Sequence, residues 1–459
     1  MTTDIDAVEL KRVIRKVSYR LVPFLCLLYF IAYIDRVNIS FAALTMNSNL
    51  KLSATAYGLG ASMFFVGYLL FEVPSNLLLD RVGVRRWMSR IMITWGMASI
   101  AMIFVVGENS LYATRFLLGV AEAGFFPAVI VYLNQWFPRA YRGRVTGLFF
   151  VAIPLSNILG APLSTGILSY MDGIFQVSGW RWVFLLEGIP ALLVGLFCLL
   201  YMTERPREAK WLSPKEAALL QGTLDRERAE NEAIRKYNLW NAFTNIRVLT
   251  LAATLLLLVA GSNGVAFWLP TILRSFHASN MTVGWMTSGV YVLTALGAGL
   301  WPRHADTAGN PVGHIVISAT FSAFGFFLCA ATLDTPAIAT VGLGIAAIGV
   351  FSTIPVLWTL PGSFLTGTPL AAAVALINSV AQLAAILVPW FIGWSKDTTG
   401  GFGFAVCGLG IAVLGACATV LLFGLQSRSA SRAAEARQQG SWTGLNAVPE
   451  TPPKTLLGH

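Results

Sequence analysis

Charged residues are scarce in this chain. Asp, Glu, Lys and Arg make up 12% of its 459 residues, against about 25% in a soluble domain. That shortage excludes an ordinary soluble fold. Histidine is scarcer still: His277, His304, His314 and His459 form no H-E-x-x-H pattern and no catalytic pair. The five cysteines (Cys26, Cys198, Cys329, Cys407, Cys417) all fall inside apolar runs without ligand-like spacing. They imply neither disulfide nor metal and read as small buried hydrophobes. No cofactor pattern is present. A net charge of +10 can mean nucleic acid, but the cations sit beside the ends of apolar runs, so no nucleic-acid partner is expected.

What is abundant is apolar length. Hydrophobic residues make up 56% of the chain, and runs of ~20 residues recur from Leu21 to Leu425. Each is long enough to cross a ~30 Å hydrocarbon core as a helix. The runs are apolar throughout rather than alternating, which selects helices over a barrel. The expectation is an all-α membrane protein in a lipid bilayer, with spans near 21–44, 57–79, 87–106, 111–134, 144–168, 180–201, 249–273, 283–301, 313–332, 337–357, 370–394 and 403–425. The predicted organisation is a cytoplasmic N-terminal segment (1–20), a six-helix bundle (21–202), a charged and partly helical cytoplasmic loop (203–247), a second six-helix bundle (248–425) and a disordered cytoplasmic tail (426–459). Lys11, Arg12, Arg15, Lys16 and Arg20 before the first run resemble a signal peptide. That run is too long, contains Asp35-Arg36 and lacks an A-x-A-like site, so it reads as a retained first helix. Lysine and arginine crowd the side holding the N-terminus, the central loop and the tail. Both termini are therefore expected in the cytoplasm of a cell whose inner membrane holds the chain.

Charge inside a span is expensive and marks a site by default. Tyr33-Ile34-Asp35-Arg36-Val37-Asn38 lies in the middle of the first span. Arg115 and Glu122 lie in the fourth, seven residues apart and so on one face about 10 Å apart along the axis. Pro127 is expected to kink that helix. Asp35 and Glu122 are the acids placed near mid-membrane, with Glu72, Glu187 and Asp80 nearer span ends in structural or gating roles. The second half holds almost no charge in its spans, but does carry Ser262, Asn263, Trp268, Tyr291, Trp358, Asn378 and Gln382. Such groups bind hydroxyls or carboxyls and stack on a carbon skeleton. The competing reading is structural: ion pairs that fix packing, and polar residues that glue helices together.

Asp80-Arg81-Val82-Gly83-Val84-Arg85-Arg86, between the second and third spans, resembles the signature loop of the major facilitator superfamily. Within it the chain is similar to the anion:cation symporter family. The match rests on Tyr33 to Asn38, Phe71-Glu-Val-Pro-Ser-Asn76, Glu122-Ala-Gly-Phe-Phe-Pro127, Trp136-Phe-Pro, Gly179-Trp-Arg-Trp182, Phe267-Trp-Leu-Pro270, Trp358-Thr-Leu-Pro361 and Ile377-Asn-Ser379. Bacterial phthalate, tartrate and 4-hydroxyphenylacetate permeases resemble it most. The resemblance implies the major facilitator fold of two pseudo-symmetric six-helix halves. It implies Asp35 and Glu122 as proton-coupling acids, and Arg36 and Arg115 around a substrate carboxylate. It places Tyr33, Trp358 and Asn378 in the pocket, and gives Asp80, Gly83, Arg85 and Arg86 a gating role. Two departures stand out. The second signature loop, Trp301 to Pro311, lacks the arginine pair, which weakens a latch there. Gly160-Ala161-Pro162 replaces the Gly-Pro pair of drug antiporters, which favours uptake.

The expected function is proton-coupled uptake of a small organic anion, aromatic or tartrate-like, by a monomer through alternating access. The proton is the coupling ion. A membrane-embedded enzyme is disfavoured because no catalytic cluster exists. A transporter-like sensor would need a signalling domain, and an exporter of the same solutes is the remaining alternative.

Overall fold

The computed structural model describes residues 4–233, 244–365 and 367–445. Among these residues the regular structure is helical, with no strand. The helices are α1 (Asp4–Asn49), α2 (Ala54–Val82), α3 (Val84–Ala101), α4 (Glu108–Glu122), α5 (Phe125–Trp136), α6 (Arg139–Phe150), α7 (Ala152–Tyr170) and α8 (Gly179–Tyr201), then α9 (Pro214–Ala233), α10 (Ile246–Ser275), α11 (Asn280–Ala308), α12 (Pro311–Ala331), α13 (Pro336–Leu357), α14 (Gly367–Thr399) and α15 (Gly403–Leu445). With α4–α5 and α6–α7 each counted as one broken span, twelve are long and apolar enough to cross a membrane. Helix starts carry the expected chemistry. Ser53 accepts from Ala56 N–H at 3.0 Å, and Asn310, followed by Pro311, accepts from Gly313 N–H at 3.0 Å. Ser213 and Glu216 form a reciprocal capping box at α9.

The two halves repeat one packing scheme. In the first, α1 packs on α7 and α8, α2 on α4, and α3 on α8. In the second, α10 packs on α14 and α15, α11 on α13, and α12 on α15. This is the pseudo-symmetry expected of two parallel six-helix repeats.

Between the halves, α2 meets α14, α7 meets α11 and α1 meets α10. The hydrogen bonds across that seam lie toward the end away from the chain termini. Tyr57 hydroxyl donates to Phe267 O at 2.9 Å and Ser288 hydroxyl to Ile158 O at 2.7 Å. Asp397 accepts from the Ala54 and Thr55 amides at 3.1 and 2.7 Å, at the start of α2. Glycine permits the contact: a Cβ on Gly58 would lie 2.2 Å from Pro389 O, and one on Gly393 2.1 Å from Ala54 O.

The basic residues before Leu21 belong to α1, because Val13, Ile14, Val17 and Leu21 form a buried stripe that carries the helix through them. Two expectations need correction. The fourth span breaks at Ala123-Gly124, with Gly124 at φ 88°, and not at Pro127. Pro127 falls in the first turn of α5, where its missing N–H is harmless. Helix α15 continues past Gln426 to Leu445, where a disordered tail is expected from composition.

Candidate functional site: a buried ion-pair centre in the first half

The in-span charges converge on the interior of the first half. Asp35, Arg115 and Glu122 are 0% exposed. Neighbours on α1, Asp35 and Arg36 point about 100° apart and find different partners. Arg36 of α1 pairs with Glu122 at the end of α4. Its guanidinium carbon lies 5.5, 5.6 and 5.9 Å from the rings of Phe64, Tyr68 and Tyr33, an aromatic surround that suits a cation. The Arg36 side chain keeps 22% of its exposure while Glu122 keeps 1%. Arg36 is thus the partly exposed member of the pair.

Asp35 has no ion-pair partner among the described residues. The Trp95 indole N–H, the Ser99 hydroxyl and the Asn38 amide all donate to it, the last at 2.9 Å. Arg115 shares α4 with Glu122 but does not pair with it. Its guanidinium sits 4.9 Å from the Phe64 ring, and none of its nitrogens has a hydrogen-bond partner. Asp35 and Glu122 are among the opposite charges that act on it. A buried cation held by field alone is a costly arrangement.

Several contributors lie outside the predicted set. Trp95, Ser99, Phe64 and Tyr68 are ordinary span residues in sequence. Glu187 is buried and accepts from Ser164 at 2.6 Å. Its place eight residues into the 180–201 run was the available signal that it lies deep. Glu72 follows Tyr68 by one turn, and Arg36 acts on it electrostatically.

In the second half, Trp358 is half-buried at the end of α13 and Asn378 is exposed on α14. No hydrogen bond or ring contact joins either to the Arg36 centre among the described residues. Tyr291 of α11 lies within electrostatic reach of Tyr33.

In the signature loop, Gly83 adopts φ 89° between α2 and α3. The Glu204 carboxylate accepts from the Val84 and Arg85 amides at 2.6 and 3.1 Å, and Arg85 donates to Leu199 O. The loop is thus latched to the end of α8 within its own half. Arg86 is exposed, and the Asp80 side chain lies outside the described residues. One relay runs inward from α3: Trp87 N–H donates to Ser75 Oγ at 3.1 Å, and Ser75 donates to Ala123 O at 2.6 Å, beside Glu122.

Two matched six-helix halves, locked at one end and lined by an accessible arginine on a buried acid, define a multi-pass membrane transporter. The chain belongs to the Major Facilitator Superfamily, whose sequence model matches residues 25–389. It is therefore a carrier and not an enzyme. A protein of Agrobacterium vitis named as a tartrate transporter is 43% identical over 438 residues, covering 95% of each chain. A quinolone resistance transporter of Acinetobacter baumannii is 40% identical, over 90% of this chain and 94% of that one. A protein of Pseudomonas putida named as the metabolite transport protein NicT is 37% identical, over 85% and 89%. Among solved structures, a D-xylose-proton symporter superposes with TM-score 0.71 at 18% identity, over 89% of this chain and 97% of that one. A bacterial homologue of the lysosomal transporter Spinster gives TM-score 0.72 at 16% identity, over 88% and 96%. These two show the shared fold.

Proposed function

We propose that this transporter carries an organic carboxylate inward together with protons. The observation that carries the reading is the Arg36–Glu122 pair, with its cation reachable and its acid sealed. While Glu122 is ionised it occupies Arg36. Protonation of Glu122 frees the guanidinium, which then holds a substrate carboxylate, bidentately where geometry allows. Proton and anion bind cooperatively, as linkage requires. Arg115 adds an unsatisfied positive field behind the site, and Asp35 is the second proton carrier. Tyr33, Trp358 and Asn378 would read the carbon skeleton. The loop Asp80–Arg86, with Glu204, would latch one side during the cycle. The lysine and arginine bias puts both termini in the cytoplasm of the inner membrane, so the locked end faces the periplasm. The chain acts as a monomer in this reading. The relatives named for tartrate and metabolite transport support the substrate class.

The test is uptake of labelled tartrate and 4-hydroxyphenylacetate into proteoliposomes. An inward proton gradient should drive accumulation, and a protonophore should abolish it. Accumulation indifferent to the proton gradient would refute the coupling. Outward transport is a second reading, favoured by the relative named for quinolone resistance. It predicts proton-driven extrusion, with no concentrative uptake, when the chain is oriented as in the cell.

A further inference from the structure

Near the end that holds the N-terminus, a groove of about 740 Å³ separates α1 from the Tyr141–Val151 stretch. It begins where the Cys26 thiol meets Leu148 O at 3.7 Å and runs toward Val8. All its lining residues belong to these two segments. None comes from the second half or from the Arg36 centre, so the groove is separate from that centre.

The groove has two chemistries along its length. Farther along α1 from the N-terminus its lining is apolar, with Val22, Cys26, Leu148 and Val151. Its rim carries Lys11, Arg12, Arg15 and Arg144, all exposed. From Arg15 to Cys26 is eleven residues, about 16 Å of helix. Two of the neighbouring cations are neutralised. Lys16 pairs with Glu216 at 2.8 Å and Arg142 with Glu227 at 3.1 Å. The four rim cations have no carboxylate partner among the described residues. Positive charge at helix ends is the general rule for membrane proteins. Four uncompensated cations gathered over one apolar trough go beyond it.

We propose that this groove binds an anionic phospholipid, its headgroup phosphate on Lys11, Arg12, Arg15 and Arg144 and an acyl chain along Val22, Cys26, Leu148 and Val151. The rim lies near the ends of the spanning helices, the level at which headgroups sit. A small soluble anion would use the rim and leave the apolar trough open. A zwitterionic lipid presents the same phosphate but brings its own cation beside it, so it would compensate the four positive charges less well. The lipid would brace the end of α1 against α6, the stretch that leads into Tyr29, Tyr33 and Arg36.

Cys26 is a built-in reporter, because it is half-exposed on the floor of the trough. Cys407 is the other half-exposed cysteine, while Cys198, Cys329 and Cys417 are buried. The experiment uses the full chain carrying Cys407→Ser in nanodiscs of phosphatidylcholine, with or without phosphatidylglycerol. N-ethylmaleimide alkylation of Cys26 is followed by peptide mass spectrometry. Phosphatidylglycerol should slow alkylation severalfold. Arg144→Gln should raise the phosphatidylglycerol needed for half-protection about fivefold, and the four-fold Gln variant should abolish protection. Equal rates in the two lipids, or protection that survives the four-fold variant, would overturn the proposal. So would equal protection by glycerol phosphate or tartrate in phosphatidylcholine alone, which would make the groove a soluble-anion site. None of these readouts depends on transport, so they stand apart from the test of proton coupling.

Discussion

The two halves share a packing scheme and differ in what they bury. The first buries Asp35, Arg115, Glu122 and Glu187. The buried polar side chains of the second, among the described residues, are hydroxyls and His314. The same contrast recurs at the loops after the second and eighth spans. In the first half a carboxylate, Glu204, caps the helix that follows the loop. In the second, His304 Nδ1 meets His314 Nε2 at 2.8 Å and the Trp301 indole donates to His314 O at 3.2 Å. A ring cluster thus stands where the arginine pair is missing. Duplicated architecture leaves each half free to specialise. One half concentrates the buried ionisable groups, and the other buries neutral ones. In the proposed function the first would gain and lose charge, and the second would distinguish solutes by shape and hydrogen bonding.

The sharpest way to break this comparison is to neutralise the accessible cation. Arg36→Gln should weaken carboxylate binding about a hundredfold, roughly 3 kcal/mol, in a purified-protein binding assay. Unchanged affinity would move substrate recognition out of the first half. Next comes the seam itself. Gly58→Ala places a Cβ against Pro389 O, and overpacking of this kind costs about 1–3 kcal/mol. Spin labels at Lys51 and His277 should report a locked population lowered about tenfold or more. An unchanged distance distribution would show that the seam does not limit opening. A smaller effect is expected in the second half. Asn378→Ala and Trp358→Ala should alter the ranking of accepted acids by up to about tenfold, the scale of one or two lost hydrogen bonds, with proton coupling intact. Selectivity profiles identical to the parent would return both residues to helix packing. The least is expected where α9 docks on α1. The Lys16 ammonium holds Glu216 below its ordinary carboxylate range. A carboxyl so lowered stabilises the fold above its unfolded value, and that contribution fades as pH falls through the folded one. Lys16→Gln should lower thermal stability by at most about 0.5 kcal/mol at neutral pH, and by nothing in strong acid. A larger loss at neutral pH would give α9 a bracing role.

Much of this arrangement was legible in the residues. Twelve apolar runs and the flanking cations located the spans, and charge inside a span singled out Asp35, Arg36, Arg115 and Glu122. Partner choice was not legible. Spacing put Arg115 and Glu122 on one stripe, yet Glu122 pairs with Arg36, 86 positions earlier, and Asp35 turns to Trp95 and Ser99. Such pairings depend on how helices cross, which local periodicity does not record. Proline is the loudest helix breaker, so the sequence points to Pro127 for the break beside Glu122. Gly124 makes it instead, since only glycine accepts φ 88° with Ser75 Oγ 2.2 Å from the place a Cβ would take.

The central claim is that Glu122 exchanges its proton for the hold on Arg36. Glu122→Gln, reconstituted in proteoliposomes with voltage clamped by potassium and valinomycin, tests it most directly. A glutamine there mimics the protonated acid and leaves Arg36 free. Counterflow of labelled for unlabelled substrate should persist, while accumulation driven by a proton gradient should disappear. Full gradient-driven accumulation by this variant would contradict the account and place the coupling proton elsewhere.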